Sequence, residues 1–366
     1  MNFDFSEEQL FIRDQARNFL SKECTAQTVR AVLDSDTSFD RELWQKVVEL
    51  GWTAMAIPEA YGGLDLGYLE LCVIAEELGR SLAPIPFSSS VYIATEALKA
   101  WGSEEQKKHN LPRLAAGEII GTLATSEQLG ALSVAATVGE GKLDGEKLPV
   151  PDGDVADFAV VLARGGNDEP GLYLVDLAQD GVKRTTLNSM DPSRSQARLE
   201  FSNCQAQALG DGADGMDRLA QLLDRAAVLL AFEQVGGGQS ALEMGMAYTR
   251  DRYAFGRSIA SFQAIKHKFA DMFVALELAR ANAYYGAWAL SCDAPDLPLA
   301  AATARVSATE GYYQVSRENI QVHGGMGFTW EFDCHLYYRR AQLLSGIIGT
   351  LPQWKEAVAS RLLSAA

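Results

Sequence analysis

The sequence predicts an α+β protein of three zones: a helical N-terminal domain over residues 1–117, a middle β-barrel or sandwich over 118–205, and a C-terminal helical bundle over 212–366. Three observations carry that prediction. Apolar residues recur at helical spacing at both ends of the chain. Between them lie short apolar runs divided by Gly, Asp, Asn and Pro, the punctuation of strands and turns. No long helical period interrupts the middle zone, which argues against a βαβ unit there. At 366 residues the chain is also too long for one ordinary core and suits two or three packed domains.

In the first zone, Ser6 with Gln9 makes a capping box, and Leu10, Ile12, Ala16 and Phe19 follow at roughly helical spacing. Residues 40–50 form a second amphipathic segment, stopped by Gly51. Ile57-Pro58-Glu59 and Tyr61-Gly62-Gly63 make a turn-rich break. Residues 69–78 and 92–101 read as buried helices, and Ser103 with Gln106 opens another with the same cap. The middle zone offers strands at 119–125, 133–138, 158–162, 172–175 and 197–201. In the last zone, Phe262, Ile265, Phe269, Met272, Phe273 and Leu276 mark one face of a helix.

Composition excludes some functions. A net charge of −16 repels nucleic acid and anionic membranes, so neither is an expected partner. An anionic small molecule would need a local cluster of Arg, Lys or helix N-termini. No apolar run reaches about 18 residues, and the acidic N-terminus lacks the basic and apolar regions of a signal peptide; a cytoplasmic protein is expected. The five cysteines are widely spaced and predict reduced thiols without a metal site.

Two motifs carry chemistry. Arg250-Asp251-Arg252-Tyr253-Ala254-Phe255-Gly256-Arg257 ends a long helix, turns at Gly256 and restarts over 258–263. Arg252 can pair with a phosphate and Phe255 offers a ring face, although arginines at a helix end also simply complement its dipole. Gln321-Val322-His323-Gly324-Gly325-Met326-Gly327-Phe328 places three glycines in four positions, which lets backbone approach a ligand. It also reads as an ordinary helix-ending loop, and His323 as structural.

Together with Phe5-Ser6-Glu7-Glu8-Gln9, Ile57-Pro58-Glu59, Tyr61-Gly62-Gly63 and Glu76-Glu77-Leu78-Gly79, these motifs resemble the acyl-CoA dehydrogenase family, in order across nearly the whole chain. The likeness looks closest to bacterial members that degrade sterol or aromatic side chains. It implies a helical domain, a β-barrel middle domain and a four-helix bundle. It also implies FAD whose adenosine and pyrophosphate half is gripped by a neighbouring subunit. By motif match that grip falls to Arg252, Phe255 and Gln263 with Gln321, Gly324 and Gly325, while Ser126 and Thr350 also match cofactor-contacting positions. The implied partners are acyl-CoA, an electron-transfer flavoprotein or similar acceptor, and a homo-oligomer or a heterotetramer with a glutamate-bearing paralogue.

The same resemblance exposes losses. The usual base is a glutamate followed by Gly-Thr, and here the stretch reads Ile347-Ile348-Gly349-Thr350. Ile348 cannot take a proton, though its backbone N–H could bond a thioester oxygen. Members with the base on the long helix carry it at the match to Arg225-Ala226-Ala227-Val228, which has no acid. Asp224 lies about 200° round the helix from position 226, and Glu233 a full turn or more away. The flavin-contacting segment reads Thr125-Ser126-Glu127-Gln128-Leu129-Gly130. The tryptophan strand has become Leu148-Pro149-Val150-Pro151-Asp152. Two readings follow: a dehydrogenase with its base elsewhere, or a non-catalytic subunit that helps hold a partner's FAD. A flavin oxidase or monooxygenase on the same fold would need an oxygen-reactive site that the sequence does not show.

Overall fold

The computed structural model describes residues 5–128, 134–166, 168–212 and 214–365. Helix α1 (Glu7–Glu23) starts with the expected capping box: the Gln9 amide N–H donates to Ser6 Oγ at 3.2 Å, and the Ser6 N–H donates to Gln9 Oε1 at 2.9 Å. Helices α2 (Ala26–Leu33) and α3 (Arg41–Glu49) follow; Asp40 caps α3, and Gly51 at φ +75° ends it. Helix α4 is Tyr68–Arg80. A buried π-helix, Ser88–Thr95, runs into α5 (Glu96–Trp101), and α6 (Glu104–Ala115) repeats the capping box with Ser103 and Gln106.

Among the described residues the middle zone is one eight-stranded mixed sheet: β1 (Gly121–Ala124), β2 (Thr137–Gly139), β3 (Lys142–Pro151), β4 (Phe158–Arg164), β5 (Pro170–Asp176), β6 (Val182–Thr186), β7 (Gln196–Gln205) and β8 (Gln207–Ala208). Its order is β6-β7-β3-β2-β4-β5-β8, with β1 parallel to β4. The strand expected at 133–138 is β2, shorter and shifted; Ser133, Leu129 and Gly130 lie outside the described residues. Strand β3 keeps both prolines of the altered segment. Its register against β7 shifts between Lys147 and Val150, which takes Pro149 off the ladder where its missing N–H does no harm. Pro151 still contributes its carbonyl, which accepts from Thr122 Oγ1 at 2.5 Å.

Helix α7 runs Gly215–Asp251 and ends in a hairpin, β9 (Tyr253–Ala254) and β10 (Arg257–Ser258). Helices α8 (Gln263–Ser291), α9 (Leu297–His323), α10 (Cys334–Gly346) and α11 (Leu351–Ala365) complete the fold. The face expected on α8 holds at Met272 and Leu276, which are buried, but not at Phe273, which is 55% exposed. Residue 273 lies about 100° round the helix from 272, at the edge of the apolar stripe, where the neighbouring described residues leave it half exposed. All five cysteines are free thiols, and only Cys292 is exposed. No described helix is long and apolar enough to cross a membrane.

The chain divides into two compact units. The first gathers Met1–Val29, Tyr68–Ala83 and Ala227–Ala366. Its centre is α7, where Gly236, Gly237 and Gly238 each meet a different neighbour. A Cβ on Gly236 would sit 1.9 Å from the Glu76 carbonyl oxygen of α4, one on Gly237 2.6 Å from the Tyr312 ring of α9, and one on Gly238 2.9 Å from Leu276 of α8. Gly79 answers Gly236 across the crossing, its missing Cβ 1.9 Å from the Glu233 carbonyl. Helix α4 also contributes two buried carboxylates. Glu76 pairs with Arg280 of α8 at 2.6 Å, and Glu77 takes both Arg17 Nη2 of α1 at 2.6 Å and Arg17 Nε at 3.0 Å. At the far end of α9, His323 is buried, donates Nδ1–H to the Asn319 carbonyl at 2.7 Å and stacks on Tyr248 of α7 with ring centroids 4.1 Å apart.

The second unit is Arg30–Gly67 and Pro84–Ala226. The sheet is tied by buried polar contacts: Lys147 Nζ bonds Glu127 at 2.7 Å, and Asp152 accepts from Ser89 Oγ and from Arg194 Nη2, the latter at 3.2 Å. The Tyr61-Gly62-Gly63 turn is closed because a Cβ on Gly63 would lie 1.9 Å from the Ile57 carbonyl.

Gly79→Ala or Gly236→Ala forces α4 and α7 apart, and each is expected to cost about 3 kcal/mol in urea unfolding. Gly325→Ala, which meets nothing within 4 Å, should leave the urea midpoint in place. Burial holds the pKa of His323 below its ordinary 6.5. The unfolded chain therefore binds the proton more readily, and the stability present above pH 6.5 is lost as pH falls toward the folded value. Thermal midpoints should drop on acidification below that point, and His323→Gln should flatten this part of the profile.

Candidate functional site

Both sequence motifs lie in the first unit and meet at one end of its bundle. Helix α7 stops at Asp251, and the chain that follows bonds back to its end: Ser258 Oγ donates to Thr249 O of the last turn at 2.8 Å, and Ile259 N–H to Arg252 O, one residue past the helix, at 2.9 Å. This folds the hairpin back on the helix end and leaves Phe255 and Gly256 at its tip, both left-handed, with φ +53° and +80°. Glycine adopts that conformation freely, but a bulky aromatic does so only under strain. The Phe255 ring is also 95% exposed. Beneath it Phe262 packs edge-on at 6.3 Å, covered in turn by the Arg257 guanidinium at 4.0 Å.

The stack of Tyr248 on His323 joins this hairpin to the glycine loop. Tyr248 lies one turn before Arg252, and His323 sits between Gln321 and Gly324. Phe332 closes the stack edge-on, 6.0 Å from Tyr248 and 5.9 Å from His323. Gly324 has φ +62°, and Gly327 is required because a Cβ there would approach the Ile320 carbonyl to 2.5 Å. Gly324 and Gly325 face open space. Arg252, Gln263 and Gln321 are exposed, and among the described residues their side chains have no hydrogen-bond or ion-pair partner. An unpaired guanidinium, two amides, bare backbone and a presented ring therefore share one end of the bundle. Periodicity gave no sign of the Tyr248–His323 joint; its only trace is that each partner lies within one turn of a motif.

The Ile347–Thr350 stretch follows α10. Ile348 is buried, and its carbonyl accepts from Trp354 Nε1 at 3.3 Å. Gly349 is at φ +110°, and Thr350 donates through N at 2.7 Å and Oγ1 at 2.9 Å to Gln353 Oε1. Glu233 is 3% exposed, with Arg340 Nη1 3.9 Å away. Asp224, 4% exposed, belongs to the second unit. Ser126 also lies there, its carbonyl taken by Leu148 N–H of β3 at 2.9 Å. Among the described residues no cluster of His, Cys, Asp and Glu could hold a metal ion.

Comparison with known proteins agrees with this architecture. Residues 6–118 match the acyl-CoA dehydrogenase N-terminal domain and residues 213–363 the acyl-CoA dehydrogenase C-terminal domain. Acyl-CoA dehydrogenase IpdE2 of Mycobacterium tuberculosis is 33% identical over 92% of this chain and 91% of its own length. A chain of the ChsE4–ChsE5 complex of Mycobacterium tuberculosis superposes with a TM-score of 0.91 at 27% identity, covering 99% of both chains. A chain of the Tcur3481–Tcur3483 steroid ACAD superposes with a TM-score of 0.89 at 29% identity, covering 98% of both. The matched family is FAD-dependent. With both domain models matched across most of its length and a full-length relative above 30% identity, this chain belongs to the acyl-CoA dehydrogenase family.

Proposed function

We propose that this chain is one subunit of a heterotetramer that carries out FAD-dependent α,β-dehydrogenation of an acyl-CoA thioester, and that its part is to hold a partner's FAD. The observation that carries this reading is the split between what is kept and what is lost. The groups kept face outward at the bundle end, and those lost belong to the chain's own reaction centre. The outward groups fit the adenosine-pyrophosphate half of FAD. Arg252 is free to pair with phosphate, Phe255 offers a face to adenine, the Gly324-Gly325 backbone admits close approach, and Gln263 and Gln321 supply amides.

When bound, FAD supplies the acceptor for the hydride leaving the β carbon. The α proton needs a base within hydrogen-bond reach. Ile348 cannot act, and Asp224 and Glu233 are both buried and engaged with other groups. Strand β3 lacks the indole of the usual flavin-covering strand and spends two positions on proline. A glutamate-bearing partner chain would therefore take the proton, with an electron-transfer flavoprotein or similar acceptor reoxidising the flavin. The paired names ChsE4–ChsE5 and Tcur3481–Tcur3483 support an assembly of two different chains.

Co-expression with a glutamate-bearing paralogue should give two flavins per four chains. Four flavins, or a yellow and active chain on its own, would sink the reading. In that assembly Arg252→Ala combined with Gln321→Ala should weaken flavin retention by about tenfold or more, measured by ultrafiltration, since a charge-assisted hydrogen bond is lost. Ile348→Glu should not raise turnover of the assembly; a rise would show that the chain lacked nothing but its base.

A further inference from the structure

The bundle core of the first unit holds a cation that no role above explains. Arg305 of α9 is 1% exposed. Its Nη1 donates to Gln234 Oε1 of α7 at 2.7 Å, and its Nη2 donates to the Leu344 carbonyl of α10. Gln234 is aimed in turn by its Nε2–H, which donates to Thr309 Oγ1 at 3.2 Å. Arg305 Nε is buried without a partner, and among the described residues no carboxylate lies within ion-pair distance; Glu233 acts on it only from farther off. Burial pulls its pKa down to about 9, so it stays charged at neutral pH.

An isolated buried cation is costly, and a core that needed only volume would be served by Met or Leu. What the guanidinium touches gives it a purpose. Leu344 is two residues from the end of α10, so its carbonyl is among those the helix leaves unpaired, and it sits at the negative end of the helix dipole. The next residues are the segment 346–350. That segment is fastened behind Ile348 by Trp354 and behind Thr350 by Gln353. Arg305 is the fastening in front.

We infer that Arg305 is a positioning residue for the 346–350 segment, holding the last turn of α10 so that the backbone of Ile348 and the side chain of Thr350 keep one fixed placement. The inference rests on the proposed function only for what the segment then serves, the contribution of Thr350 to flavin holding. The device itself depends on the bond to Leu344 alone.

Hydrogen–deuterium exchange of the co-expressed assembly tests it, with flavin content as a second readout. Arg305→Met should speed exchange at amides 345–350 by about tenfold or more while the middles of α9 and α10 stay protected. Arg305→Lys should restore most of the protection, because an ammonium donor still reaches the carbonyl. If Arg305→Met does not fold, Gln234→Leu removes the group that aims the guanidinium and should loosen the same amides. Unchanged exchange at 345–350 in the folded variants, or no restoration by lysine, overturns the inference. Loosened amides with unchanged flavin content leave the positioning role standing and remove Thr350 from the flavin-holding set.

Discussion

Three consecutive glycines in the middle of α7 set the geometry of the first unit. Successive residues on a helix turn by about 100°, so Gly236, Gly237 and Gly238 sweep about 200° of its surface. Along that arc α4, α9 and α8 each come closer than a Cβ would allow. Glycine inside a helix costs about 1 kcal/mol against alanine, so the run weakens α7 as an isolated helix by roughly 3 kcal/mol. Dispersion along three close crossings offsets that loss, and packing in the bundle supplies most of the helix's stability. Everything at the bundle end inherits this arrangement, because the depth of α7 against α9 brings Tyr248 onto His323.

Charge follows a second rule in the same unit. Buried ionic groups sit where helices end or cross. Glu76 and Glu77 on α4 take Arg280 and Arg17 from two different helices. Arg340 donates to the Leu82 and Ala83 carbonyls just past the end of α4, and Arg305 to the Leu344 carbonyl in the last turn of α10. A guanidinium with several fixed donors can close a helix terminus inside a core, where water cannot. The Glu76-Glu77-Leu78-Gly79 motif therefore has a structural account: two residues pair across helices, one fills the core, and one lets α7 approach.

Local chemistry was legible in the sequence wherever one residue decides the outcome. Ser6 with Gln9, Ser103 with Gln106, and Gly51 all do what their local chemistry dictates, because capping is settled within one turn; the cap by Asp40 appears only in the structure. The order helices, sheet, helices followed from period together with turn punctuation. Long-range decisions were not legible. Nothing in Gly236-Gly237-Gly238 says which helix each will meet, and nothing in the period of α8 says that the Phe273 edge of its apolar stripe is left half exposed. Strand β3 was obscured by Pro149 and Pro151, which a register shift accommodates. For the site, motif matching named Arg252, Phe255, Gln321 and the glycines. That Phe255 stands out at a left-handed turn, that Gln321 and Gly324 flank a buried stacked histidine, and that Arg305 holds the end of α10 are consequences of packing.

The hairpin tip has a thermodynamic corollary. Its strain is borne during folding, since the turn at Phe255 and Gly256 is clamped by bonds to the carbonyls of Thr249 and Arg252 whether or not anything lies on the ring. A molecule arriving there meets a surface that is already ordered. Little conformational entropy remains to be lost on contact, so even a small planar group can be retained by a modest area of aromatic and amide surface.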